Sequence, residues 1–75
     1  MTALALIPDM VQRMVARTWP SRVILYGSYA RLEADPDSDV DLLVLFDELS
    51  DRRQTVTELY ESLLEIDVPK DILIA

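Results

Sequence analysis

The sequence predicts an α/β domain built on a small mixed β-sheet with flanking helices. Two observations support this class. Apolar residues recur every three or four positions in two segments, which is typical of amphipathic helices. Short apolar runs rich in β-branched residues lie between and after these segments, which is typical of strands. The order along the 75 residues is helix, strand, short helix, strand, helix, strand, and it favours one α/β domain spanning residues 1–75.

The first half of the chain should contain a helix, a strand and a short second helix. Apolar residues at helical spacing predict the first helix over residues 4–18, with Pro8 tolerated in its first turn. A Trp-Pro-Ser sequence ends it at residues 19–21, and residues 22–26 form strand one. Gly27 ends this strand, residues 28–33 make one or two helical turns, and residues 34–38 form a turn-rich loop.

The second half should contain a central strand, a long helix and a third strand. Residues 40–46 are almost continuously apolar, which is typical of a strand buried on both faces. Ser50 is the predicted N-cap of the helix, with Asp51 in the first turn. The apolar stripe of this helix is Val56, Leu59, Leu63, Leu64 and Ile66. Residues 70–75 form strand three, and the sequence stops in it. Two interpretations stay open: the sequence is C-terminally truncated, or a partner or second copy covers this strand.

The composition restricts the chemistry. Fourteen acidic residues against seven basic ones give a net charge of −7, which disfavours direct nucleic-acid binding and suits a basic partner or a Mg²⁺-recruiting site. A solubilising surface charge explains most of these acidic residues better. Because the chain has no histidine and no cysteine, its chemistry must depend on carboxylates, hydroxyls and metal. No apolar run approaches the roughly 20 residues of a membrane span, and the first residues lack the positive region of a signal peptide. We therefore expect a cytoplasmic protein with no membrane partner.

Two short motifs carry the candidate chemistry. Gly27 and Ser28 follow strand one, where free backbone amides and a hydroxyl can meet phosphate. After ten residues, Asp39 and Asp41 open strand two, and their spacing of two places both carboxylates on one face. At about 6–7 Å between Cβ atoms, they can share one or two Mg²⁺ ions. A solvated acidic loop explains Asp35 and Asp37 well, but it explains Asp41 poorly, because Asp41 adjoins apolar residues and an unpaired buried carboxylate is costly.

Two further residues have competing interpretations. Arg31 lies one helical turn after Ser28 and could contact a phosphate, or it could pair at the surface with Glu33 or Asp35. Asp71 opens strand three, where a lone acidic residue can protect an edge strand from aggregation. If that strand lies beside strand two, Asp71 becomes instead the third carboxylate and the candidate base. Asp67 competes for this role but fits the end of the helix better.

The pattern of these residues resembles that of proteins with the nucleotidyltransferase fold of the DNA polymerase β superfamily. It is most similar to the pattern of the minimal nucleotidyltransferase (MNT) branch. The branch pattern of Gly-Ser, ten residues and Asp-x-Asp is matched at Gly27, Ser28, Asp39 and Asp41. The extended form of the pattern, Gly-Ser-x-Ala-Arg followed by Ser-Asp-x-Asp-Leu, is matched by residues 27–31 and 38–42. Leu32 stands where a glycine often follows the Ala-Arg pair, and the chain is shorter than typical members.

The resemblance implies transfer of a nucleoside monophosphate, usually AMP from ATP, to a hydroxyl. Asp39 and Asp41 would bind two Mg²⁺ ions with Asp71 as third carboxylate, and Gly27 and Ser28 would hold the phosphates. Many MNT proteins are antitoxins of a helical HEPN ribonuclease, so such a partner is expected. Two alternative functions stay open: a binding subunit that neutralises its partner by contact alone, and a small-molecule (aminoglycoside-type) nucleotidyltransferase. A homo-oligomer is an alternative assembly.

Overall fold

The computed structural model describes residues 3–75 and shows three helices and one three-stranded sheet in that part of the chain. The elements, in order, are α1 (Ala3–Thr18), β1 (Arg22–Tyr26), α2 (Gly27–Ala30), β2 (Val40–Leu45), α3 (Arg52–Ser62) and β3 (Lys70–Ile74). This order and the mixed sheet confirm the predicted fold class. Met1 and Thr2, which belong to the segment inspected for a signal peptide, lie outside the described residues. None of the helices in residues 3–75 has the length and hydrophobicity needed to cross a membrane.

The sheet has the order β1-β2-β3. β1 runs antiparallel to β2, with Tyr26 opposite Asp41, and β3 runs parallel to β2, with Asp71 beside Asp41. The end of β1 and the beginnings of β2 and β3 therefore meet at one end of the sheet. The prediction that strand three would lie beside strand two is confirmed.

The core lies between one face of the sheet and the two long helices. Val40, Leu42 and Val44 point alternately from β2 to this face and are fully buried. Met10 and Met14 of α1 are also fully buried; burial of each such side chain contributes about 1.5–3 kcal/mol. The rest of the buried core is Ile7, Tyr29, Leu59, Leu63, Ile66, Ile72 and Ile74.

The opposite face of the sheet corrects one prediction. The residues of β2 that point to it, Asp41, Leu43 and Leu45, are only partly buried, and Leu73 of β3 is 50% exposed. The apolar run at residues 40–46 indicated burial on both faces, but in the part of the chain that the structure describes the helices pack on one face alone. The run is apolar on both sides although only one side meets the core.

The long helices differ from prediction at their ends. Pro8 lies inside α1, beyond the first turn where it was expected, and it leaves the carbonyl of Leu4 without its helical partner. Asp51, and not Ser50, is the N-cap of α3, because the Asp51 carboxylate accepts a hydrogen bond from the Gln54 N–H at 3.0 Å. α3 stops at Ser62, so Leu64 lies in the following turn and is 78% exposed.

Two side chains of α3 form hydrogen bonds with backbone groups on the outer edge of β3. The Tyr60 hydroxyl accepts a hydrogen bond from the Ile72 N–H at 3.3 Å, and the Arg52 guanidinium donates to the Ile74 carbonyl at 3.0 Å. Unpaired backbone groups on an edge strand invite association with another strand. These two contacts reduce that tendency at the end of the sequence.

Candidate active site

The turn between β1 and α2 brings the glycine of the motif against a motif carboxylate. Gly27 has φ +76°, in the left-handed region that disfavours other residues. A Cβ atom placed on Gly27 would collide with Oδ2 of Asp41. Glycine is therefore required here twice, once by the backbone conformation and once by the close approach of the carboxylate.

The helix that begins at this glycine, α2, is a single turn that ends in a Schellman motif. Ser28 is its second residue, and the N-cap residue, Tyr26, makes no side-chain cap; the expectation that Ser28 begins the helix is thus displaced by one residue. The Glu33 N–H donates to the Ser28 carbonyl at 2.9 Å, and the Leu32 N–H donates to the Tyr29 carbonyl at 3.3 Å. Leu32 occupies the left-handed position of this motif with φ 59°. That geometry explains why a glycine would suit position 32.

Two of the three predicted carboxylates lie side by side. Asp41 and Asp71 are register partners on adjacent parallel strands, which are about 4.8 Å apart. Asp41 is partly buried and Asp71 is exposed, as is Asp39, which immediately precedes β2. Within residues 3–75, no group of three acidic residues is arranged so that it could hold a metal ion. The structure therefore pairs Asp41 with Asp71 without assembling Asp39 into a three-carboxylate cluster.

Tyr26 belongs to the same row, and the sequence reasoning missed it. It is the register partner of Asp41 on the other side of β2. Burial, with the negative charges of Asp41 and Asp71, raises the pKa of the Tyr26 hydroxyl above its ordinary value. Its position just before the glycine of the motif was the sequence signal that could have indicated it, whereas its place beside Asp41 follows from the strand register.

The remaining candidates make contacts of their own outside this row. Arg31 makes the surface ion pair that was its alternative interpretation, with Nε at 3.2 Å from Glu33 Oε2. The loop carboxylate of Asp35 accepts hydrogen bonds from the Asp37 N–H at 2.8 Å and the Ser38 hydroxyl at 3.2 Å. Asp67 lines an apolar groove of about 570 Å³ between the start of α1 and the loops after α2 and before β3.

The donors present fit Mg²⁺ in chemistry. Asp39, Asp41 and Asp71 make no ion pair with any basic residue in residues 3–75, and the Ser28 hydroxyl makes no hydrogen bond there. Mg²⁺ prefers oxygen ligands, takes few protein carboxylates and completes its octahedron with water and substrate phosphate. A carboxylate pair of this kind, together with a nucleotide, can supply such a shell.

The comparison with protein families decides the identity of the fold. Residues 7–74 match the family described as nucleotidyltransferase domain. The chain belongs to this family. The match covers both motifs and all three strands, and it places the nucleotidyltransferase domain in the polymerase β-like superfamily, a group of transferase enzymes. Comparisons with curated proteins and with solved structures gave no significant match.

Proposed function

We propose that this nucleotidyltransferase domain transfers AMP from ATP to a hydroxyl of a helical HEPN-type partner and acts as the antitoxin of that partner. The observation that supports the site is the contact between Gly27 and the Asp41 carboxylate, which lies beside Asp71. Gly27 belongs to the first half of the motif and Asp41 to the second half. The fold brings them together at the end of the sheet where the Gly-Ser turn also lies.

The proposed reaction is an in-line displacement. The acceptor hydroxyl oxygen attacks the α-phosphorus of ATP, a new oxygen–phosphorus bond forms, the bond from the α-phosphorus to the bridging oxygen breaks, and pyrophosphate leaves. Asp71 accepts the proton of the attacking hydroxyl. Asp39 and Asp41 would hold two Mg²⁺ ions, which would stabilise charge on the attacking and leaving oxygens. The Gly27 and Ser28 amides, the Ser28 hydroxyl and Arg31 would bind the phosphates.

The experiment is label transfer from ATP labelled at the α-phosphate, in Mg²⁺, with the purified product of the neighbouring gene as acceptor. Wild-type protein should label the acceptor, and the Asp39→Asn/Asp41→Asn double variant should not. Asp37→Asn is the matched control, because Asp37 is an exposed carboxylate in the loop that also contains Asp39, and it lies outside β2. Equal labelling by wild type and the double variant would refute the assignment of the metal site.

One observation favours the binding-subunit alternative. The described residues do not assemble three carboxylates for a metal, as an enzyme that needs a preformed site would. If wild type forms a stable complex with the neighbouring protein, neutralises it and transfers no label, contact alone is the function. If the double variant loses neutralisation but keeps the complex, chemistry is required.

A further inference from the structure

The uncovered face of the sheet carries three rows of side chains, defined by the strand register; the third, Arg22 and Leu45, lies farthest from the candidate active site. The first row is Tyr26, Asp41 and Asp71, which we call the acidic row. The second row is Ile24, Leu43 and Leu73, which we call the aliphatic row. Since side chains two residues apart share a face, the rows are about 7 Å apart. An apolar strip thus directly adjoins the candidate active site.

The aliphatic row is not explained by the fold. None of its three members belongs to the hydrophobic core or packs against it, because the core lies on the other face. Leu73 is 50% exposed, on a strand whose solvent side would ordinarily carry polar residues. The chain as a whole is acidic, with a net charge of −7. Ile24 and Leu43 are partly buried, so the three side chains form a small apolar strip on which another molecule can pack.

The position of the row indicates what covers it. An acceptor that reaches Asp41 and Asp71 must lie over the uncovered face, because the helices block the other face. Its nearest contacts beyond the acidic row are then aliphatic. A second copy of this chain is a poor occupant, since it would bring together two molecules that each carry a charge of −7. A polyhydroxylated sugar or a nucleic-acid chain would set polar or charged groups against aliphatic side chains.

We propose that Ile24, Leu43 and Leu73 form the docking surface for the acceptor, and that the acceptor is a protein whose reactive hydroxyl lies beside an apolar patch with basic residues around it. This inference rests on the proposed function, because it names the substrate class and the contact surface of the same site. The apolar patch covers the aliphatic row, and the basic residues complement the acidic surface. The hydroxyl is thereby held over the acidic row.

The test variant is Leu73→Lys, because Leu73 is half exposed and its replacement leaves the core intact. Leu64→Lys is the matched control: Leu64 is 78% exposed and follows α3, which packs on the other face of the sheet. The measurements are the dissociation constant for the neighbouring protein, the acceptor KM and kcat in the labelling assay, and the melting-temperature shift produced by Mg²⁺ and ATP.

We expect Leu73→Lys to weaken partner binding and raise the acceptor KM by about tenfold or more, as loss of a central apolar contact does. The shift with Mg²⁺ and ATP should be unchanged in this variant, and Leu64→Lys should behave as wild type. Undiminished binding by Leu73→Lys, equal weakening by Leu64→Lys, or no complex with the wild type would overturn the proposal. So would a wild-type dimer that Leu73→Lys dissociates, or efficient labelling of an aminoglycoside in place of the protein.

Failure of the proposed function is distinguishable from failure of this inference. A wild-type complex that transfers no label refutes the reaction, while the dissociation constants still test the docking surface. Label transfer that Leu73→Lys leaves unaltered refutes the docking surface and keeps the reaction.

Discussion

Replacement of Gly27 by alanine tests the geometry on which the site depends. The new side chain would meet two separate obstacles. At φ +76°, a residue with a Cβ atom is disfavoured by about 1–2 kcal/mol. The added Cβ would also lie 3.1 Å from Cγ and 3.3 Å from Cβ of Asp41 and would collide with Oδ2. The carboxylate must then leave its rotamer, which costs about 0.5–1.5 kcal/mol.

The two terms together predict that Gly27→Ala lowers the free energy of unfolding by about 1.5–3.5 kcal/mol. For a domain of this size, each 1 kcal/mol shifts the melting temperature by about 4–8 °C. We therefore expect a fall of about 6 °C or more by thermal denaturation. Because the Asp41 carboxylate is displaced, the variant should also lose the stabilisation that Mg²⁺ and ATP give to the wild type.

A double-mutant cycle separates the backbone effect from the collision. In an Asp41→Ala background the Oδ2 and Cγ contacts are gone, so Gly27→Ala should cost about 0.5–1.5 kcal/mol less than in the wild type. An unchanged cost in that background would show that the Asp41 carboxylate does not collide with the alanine Cβ atom at position 27. A Gly27→Ala variant with wild-type stability would refute both the left-handed conformation and the contact.

Four other changes have predicted outcomes. Leu32→Gly should raise the melting temperature by about 4–8 °C, because it relieves about 1 kcal/mol of left-handed strain at an exposed side chain; a lower melting temperature would contradict the Schellman assignment. Asp71→Asn should stabilise the ligand-free protein in urea by about 0.2–0.5 kcal/mol, since it removes a like charge beside Asp41; a loss of stability would show that the pair does not repel. Because the pKa of Tyr26 is raised in the folded state, its contribution to stability is present below the ordinary tyrosine pKa and is lost as the pH rises through the folded pKa. Asp41→Asn should lower the pH midpoint at which the absorbance of the Tyr26 tyrosinate appears. An unchanged midpoint would place the Asp41 carboxylate elsewhere. Met14→Ala should cost about 2–5 kcal/mol in urea denaturation, because Met14 is fully buried; a smaller cost would mean that the core closes over the space.

The strands were predictable because their signals are local. Residues 22–26 and 70–74 carry β-rich runs bounded by turn residues, and both strands lie there. The candidate residues Gly27 and Asp41 were predictable from the motif, whereas the contact between them depends on the pairing of β1 with β2.

The features that failed depend on residues distant in sequence. Whether β2 is covered on one face or two depends on where the helices pack, and the apolar pattern of a two-sided strand does not report this. Leu63 is buried although it lies after the end of α3, because the turn that follows returns to the core. Tyr26 joins the acidic row through its pairing with Asp41, and that register is a tertiary property.

The mixed sheet accounts for how so short a chain assembles a site. Because β1 is antiparallel to β2, its last residue, Tyr26, lies opposite Asp41 near the start of β2, and Gly27 follows at once. Because β3 is parallel to β2, Asp71 near its own start lies beside Asp41 as well. In an all-parallel sheet, the end of β1 would lie away from the start of β2, and the Gly-Ser turn could not meet the carboxylates. A slip of one residue in the pairing of β2 would also send Asp41 to the core face. The alternation that buries Val40, Leu42 and Val44 is therefore the same feature that holds Asp41 on the uncovered face, so the stability of the core fixes the position of the candidate catalytic carboxylate.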